Sequence, residues 1–179
     1  CVIGIMIGKS FDLPGARMRQ LATGCLLHDI GMLFVDATQS ESNRIRQHTV
    51  LGYELLRNTD DPDLLSPHVA YEHHEHQDGT GLPRGLVGSN RVQRVREGSG
   101  PVPTLIGEIA AVANAYDNLL SGSPRAKPMA PDAAIAKITQ EAGTKYNREV
   151  VSAFRRVVPV FPKGTEVILY GEPYEHFRG

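Results

Sequence analysis

Histidine and carboxylate residues of this 179-residue chain are bunched in a way that suits a metal centre. LLHDIG, residues 26–31, sets His28 beside Asp29. His48 stands alone. YEHHEHQDGTGLP, residues 71–83, sets His73, His74, Glu75 and His76 near Asp78, then turns through Gly79, Gly81 and Pro83. Five of the seven histidines fall in these three places, which argues against three unrelated uses of the residue. Mixed nitrogen and oxygen donors without cysteine suit a borderline divalent ion, with iron, manganese and zinc all open. Adjacent side chains on a regular helix diverge by about 100°. Neighbours such as His28 and Asp29 therefore serve two ions, or one of them sits at a helix end. A carboxylate beside an imidazole is well placed to bridge two ions, and a pair about 3.5–4 Å apart can clamp a phosphate for in-line displacement. The helical zinc-protease spacing HExxH is absent from the sequence, so phosphoester hydrolysis is favoured over peptide hydrolysis.

The elements that must position these residues read as mainly helical. An apolar stretch at the start reads as the end of a buried helix closed by Gly8. Asp12 can cap a second helix with Pro14 in its first turn. Met18, Leu21, Ala22, Cys25 and Leu26 of that helix recur at core-facing spacing, and the helix ends near His28–Gly31. Ser40 or Ser42 starts a third, with Ile45, His48, Val50, Leu51, Leu55 and Leu56 inward. A helix restarting at Asp60-Asp61-Pro62 runs through Leu64 and Leu65 into His73-His74. His68 on it reads as structural or as an outer support, and His76 and His176 as surface. Residues 78–103 show no period and form a long loop, a length that is usually functional or mobile. Arg91, Arg94 and Arg96 in it face phosphate or, more simply, solvent. Thr104 opens an apolar helix to Leu120 that carries Asn114 and Asp117. Pro131 opens another, Asn147 caps a last one, and 165–170 alternates as a short strand.

Composition bounds the rest. The length supports one domain with a sizeable core, and an apolar fraction of 41% is ordinary for a globular protein. A net charge of −1 gives no electrostatic case for a nucleic-acid polymer or a membrane surface. Two cysteines make no disulfide framework, which fits a reducing cytoplasm. No apolar run reaches the roughly 18 residues of a membrane span. The chain starts with Cys rather than Met, so the expectation is a single domain over 1–179 cut from a longer protein.

The two motifs LLHDIG and HHEHQDGTGLP resemble those of the HD-GYP family, a branch of the HD phosphohydrolases. The likeness covers about residues 2–154. It takes in His48 with Gly52 four later, AVANAYDNLLSG (111–122) and AGTKYNREVVSAF (142–154). It implies a bacterial HD-type helical bundle with added helices that hydrolyses cyclic di-GMP, or a related cyclic dinucleotide, with two divalent ions, iron or manganese, zinc remaining open. By matching position, His28, Asp29, His48, His73, His74 and Asn114 would be metal ligands, with Asp29 bridging. His28, Asp29 and Glu75 would be catalytic, Glu75 as an acceptor that orients a ligand imidazole. Asp78, Gly79, Gly81 and Pro83 would shape the nucleotide pocket, with Arg125 and Lys145 as phosphate contacts. Signalling-domain partners and homodimerisation are the implied modes of regulation.

Three departures from the family pattern stand out. The lysine that normally follows HDIG is Met32, the tyrosine of the name-giving triplet is Leu82, and the helix that normally offers an aspartate has Asn114, with Asp117 three later. A further histidine that the family carries upstream has no counterpart in this sequence. Two readings follow. One is a metal-dependent phosphodiesterase. The other is a degenerate relative that senses the nucleotide or binds a partner without turnover. A general nucleotide phosphohydrolase of the wider superfamily is weaker, because the glycine-turn motif is specific to the branch.

Overall fold

The computed structural model describes residues 1–59, 65–93, 101–122, 126–160 and 164. Among them are seven α-helices and no sheet: α1 (Val2–Ser10), α2 (Gly15–Leu27), α3 (Glu41–Arg57), α4 (Ser66–Glu72), α5 (Leu105–Ser121), α6 (Pro131–Gln140) and α7 (Arg148–Val157). A 3-10 turn, Ile30–Phe34, links α2 to α3.

Helix α5 is the axle. Ile106 to Ala113 are all buried, and Tyr116 with them, so this helix is apolar around most of its circumference and packs against α1, α2, α4, α6 and α7. Such a helix belongs inside a bundle. Around it gather Ile7, Leu21, Val69, Ile138, Val150 and Phe154, all fully buried. Each such side chain contributes about 1.5–3 kcal/mol relative to exposure. Tyr116 meets Phe154 edge-on, ring centroids 5.1 Å apart.

The helix starts follow their caps. Ser40 accepts from Asn43 N–H at 3.4 Å, Thr104 from Gly107 N–H at 3.2 Å, and Asn147 from Glu149 and Val150 N–H at 2.9 and 3.3 Å. These side chains satisfy backbone donors that no helical carbonyl reaches.

Several expectations need correction. Asp12 does not cap α2. It sits in a turn at φ 51°, and Pro14 immediately precedes the helix at Gly15. Helix α1 does not stop at Gly8 but runs to Ser10. Leu26, Val50 and Leu55 were expected inward and are exposed. Leu26 lies about 100° around α2 from Cys25, and Val50 about 160° around α3 from His48, so neither shares the buried face. The strand over 165–170, the helix restart at Asp60–Leu64, and Arg94, Arg96, Arg125 and His176 lie outside the described residues. No described helix is long and apolar enough to cross a membrane.

Candidate metal centre

Each of the two adjacent pairs straddles a helix end. His28 is the last residue of α2 with helical backbone, and Asp29 has already left it at φ −100°, ψ 10°. His73 closes α4 in the same way, and His74 follows beyond it. The chain bends between the members of each pair, so side chains that a continuous helix would splay apart converge. Asp29 Oδ2 lies 3.2 Å from His28 Nε2. Asp29 Oδ1 lies 3.3 Å from His48 Nε2 and 3.5 Å from His73 Nε2. The rings of His73 and His74 are 4.2 Å apart, and those of His48 and His74 5.2 Å. Close packing of the 3-10 turn on α3 brings these groups together. A Cβ at Gly31 would run into the backbone carbonyl of His48, so only glycine lets the turn approach.

The tautomers are set by the main chain. Nδ1 of His28 donates to Cys25 O at 2.9 Å, Nδ1 of His48 to Arg44 O at 2.8 Å, and Nδ1 of His73 to Val69 O and Ala70 O at 3.1 and 3.0 Å. A carbonyl brings no proton, so Nδ1 carries it and Nε2 presents a bare lone pair. The lone pairs of His48 and His73 then face one another at 3.3 Å. Nε2 of His28 is buried, with Asp29 Oδ2 beside it at 3.2 Å. Lone pairs gathered around a carboxylate are the donor set of a cation, and hydrogen bonding of the far nitrogen to a carbonyl is how ligand imidazoles are held. The residues present therefore fit a divalent metal. Two overlapping triads have ligand atoms within 4.8 Å of one another: His48, His73, His74 and His28, Asp29, His73.

The electrostatics agree. Burial and the neighbouring His73 push the His74 pKa down to about 2, and burial lowers His48 as well, so both stay neutral and able to donate. Burial would raise Asp29, but the close approach of His28 and His73 and their charge when protonated outweigh it and hold the carboxyl far below its usual range. Burial would lower His28, but its contacts with Asp29 win and raise it. Cys25, behind His28, is a buried core thiol whose pKa burial pushes up to about 11.

Two cavities of about 510 and 620 Å³ open on either side of His74 and Asn114, which line both. Glu75, His76, Glu141, Lys145 and Tyr146 help to line the first, and Asp29, Met32, Arg44 and His48 the second. Asn114 thus sits at the centre, its Oδ1 accepting from Asn118 at 3.1 Å, whereas Asp117 is exposed on another face. Lys145 reaches the cavity wall paired with Glu141 at 2.9 Å.

Other expected residues have different work. Glu75 orients no imidazole. Its two oxygens accept from the N–H groups of Arg84 and Leu86, both at 2.8 Å, because it is buried under the glycine turn and those are the donors within reach. Asp78, Gly79, Gly81 and Pro83 line neither cavity. Asp78 accepts from Thr80 N–H and Oγ1. A Cβ at Gly81 would strike the backbone of Glu75 and His76, and Leu82 N–H donates to His74 O at 2.9 Å. The turn therefore buttresses the His pair from behind. Arg91 is exposed. His68 bonds Glu72 at 3.0 Å, away from the centre.

Glu72 was not singled out from the sequence and is a hub. It is almost wholly buried, accepting from His68, from Arg84 at 2.7 Å, and from Thr104 N–H and Oγ1 at 2.6 and 2.7 Å. Its spacing of four from His68 was a signal. Glu108 is another, joining Gln77 at 2.8 Å to Asn147 at 3.0 Å and so tying the turn after the His pair to α5 and α7.

The HD domain family model matches residues 3–119. The chain is 33% identical over 161 residues to a cyclic di-GMP phosphodiesterase of Thermotoga maritima, a span of 84% of this chain and 40% of that protein. It is 28% identical over 178 residues to the cyclic di-GMP phosphodiesterase PA4108 of Pseudomonas aeruginosa, covering 94% and 40%. The fold is similar to that of a cyclic GMP-AMP specific phosphodiesterase of Vibrio cholerae, with a TM-score of 0.62 at 16% identity over 86% of this chain and 41% of that one. The chain belongs to the HD domain family. Within it, these likenesses agree with the HD-GYP branch that its motifs resemble. It spans about two fifths of the length of the relatives it matches.

Proposed function

We propose that this chain is the hydrolytic domain of a longer protein, and that it cleaves a phosphodiester bond of cyclic di-GMP or a related cyclic dinucleotide with two divalent ions. The observation that carries the reading is the convergence of three carbonyl-anchored imidazoles and one ionised carboxylate at the junction of two cavities. The relatives are named for this activity.

His28, Asp29, His48, His73 and His74 would hold the ions. Asp29 divides its oxygens between His28 on one side and His48 and His73 on the other, which suits a bridge. The nitrogen and oxygen donors suit iron, manganese or zinc alike, and the resemblance to the HD-GYP family favours iron or manganese. Divalent ions at such a centre polarise phosphoryl oxygens and make water nucleophilic at neutral pH. The protein supplies position. His73 and His48 form a dry floor, and Asp29, half exposed, faces the opening. The cavities flanking His74 each have room for one nucleotide of a two-fold substrate, with Lys145 and Tyr146 on the wall of one.

Anaerobic hydrolysis of cyclic di-GMP by metal-loaded protein, beside a His73→Ala/His74→Ala control, tests this. Turnover that disappears in the control supports the enzyme. A loaded, folded protein that binds the nucleotide without cleaving it overturns the enzyme in favour of a receptor, the outcome that the thioether of Met32 and the neutral Asn114 on the cavity walls would explain.

A further inference from the structure

The cavity of about 620 Å³ beside Asp29, His48 and His74 carries two carboxylates on its wall, Asp29 and Glu41. A phosphodiester is an anion, and a cation beyond the ions themselves would favour its entry. Among the described residues lining this cavity, one basic side chain is present, Arg44.

Three observations single it out. It lies on α3 four residues before His48, so both occupy one face of the helix. Its own carbonyl receives the His48 Nδ1–H at 2.8 Å, which locks the Arg44 backbone to the metal centre. Its guanidinium makes no ion pair among the described residues, whereas Arg84 is held by Glu72, Arg57 by Glu54, and Lys145 across the way by Glu141. A half-buried arginine on a cavity wall, fixed at its base and uncommitted at its tip, has its donors available to oxygens that enter the cavity.

The geometry points to Arg44 as the residue that clamps the phosphodiester anion of the substrate beside the metal centre. This rests on the reading of that centre as a phosphodiesterase. Guanidinium matches a phosphate's oxygens in pairs, through charge-assisted bonds. Arg44 binds and positions the ester, and it makes no bond to a metal. Met32 lines the same cavity, so a lysine placed there would put an ammonium group into the same space.

Arg44→Ala, Arg44→Lys and the double variant Arg44→Ala/Met32→Lys test it on metal-loaded protein. Three readouts are used: metal content, KM and kcat for cyclic di-GMP and for bis(p-nitrophenyl) phosphate, and inhibition by inorganic phosphate. In Arg44→Ala, KM and the phosphate inhibition constant should both rise roughly 10- to 100-fold, with metal content unchanged. Arg44→Lys should lose less, and Met32→Lys should recover part of the loss. Unchanged KM and phosphate inhibition in Arg44→Ala overturn the clamp and leave the reaction standing. Lost metal content in Arg44→Ala and Arg44→Lys alike also overturns it, by making the residue structural. Wild-type turnover of the aryl diester without turnover of cyclic di-GMP overturns the proposed substrate alone, and Arg44 is then judged on the aryl diester. If neither ester turns over, calorimetric binding of inorganic phosphate by wild type and Arg44→Ala decides it, equal affinity overturning the clamp.

Discussion

Asp29 and His28 are neighbours in the chain, yet their side chains meet, Oδ2 to Nε2, at 3.2 Å. The meeting requires the helix to end between them, which it does. The same carboxylate reaches His48 with its other oxygen at 3.3 Å.

Asp29→Asn keeps the shape of this contact and removes its charge. Asp29 is half exposed, so the fold should survive. Metal affinity should fall by at least the roughly 10–100-fold seen for the loss of an outer support, because here the charge itself goes. Metal analysis after dialysis against a graded chelator checks this, and full retention of metal would remove Asp29 from the ligand set.

Metal-free protein should lose stability on acidification. The folded-state pKa of His74 is about 2 against an ordinary 6.5. Below about pH 6.5 the unfolded chain takes up a proton that the folded chain refuses, so stability falls as pH drops. His48 and His76 are shifted in the same direction, chiefly by burial. His28 is raised, so its contribution has the opposite sign, present at low pH and fading as pH rises. With three groups against one, Tm should decline between about pH 7 and pH 5, and His74→Ala should flatten the slope. Differential scanning calorimetry across that range is the measurement, and an unchanged slope in the variant would show that His74 titrates normally.

Glu72→Ala should be among the costliest single changes. It leaves Arg84, His68 and the Thr104 N–H without their shared acceptor. The cost is about 2–4 kcal/mol, reduced from the usual figure for a broken buried pair because Arg84 is partly exposed. Urea unfolding measures it, with Glu72→Gln expected to fall between.

Gly31→Ala is a small change at a full site. The added methyl meets the His48 carbonyl and the Gly52 N–H, so the 3-10 turn and α3 must separate. We expect a loss of about 1–3 kcal/mol and, with His48 displaced from Asp29, weaker metal retention. Chemical denaturation and metal analysis on the same sample would show both, and loss of stability with unchanged metal affinity would uncouple the turn from the centre.

The residues that converge at the centre were legible because each pair is a compact signal: HD at a helix end, HH at another, and a single His on an amphipathic helix between them. Helix α5 was legible from its continuous apolar run between Thr104 and the turn at Gly122. The cavity walls were not. Arg44, Glu41 and Tyr146 are ordinary surface residues by sequence, and only packing brings them beside His48 and His74. Glu72 hid in plain view, since two of its partners, Arg84 and Thr104, lie 12 and 32 residues away. Glycines 79 and 81 announced a tight turn but not which way it faced. Their neighbour Glu75 decides that, by drawing two backbone amides under the motif.

The imidazoles of His28, His48 and His73 are steadied by carbonyls three or four residues back on their own helices, Cys25, Arg44, Val69 and Ala70. Every amino acid carries a carbonyl. The aim of these imidazoles therefore depends on helical conformation and not on the identity of any supporting side chain, and substitutions at those four positions that preserve the helix leave the acceptors in place. Such a centre tolerates change in its immediate support so long as the helices persist.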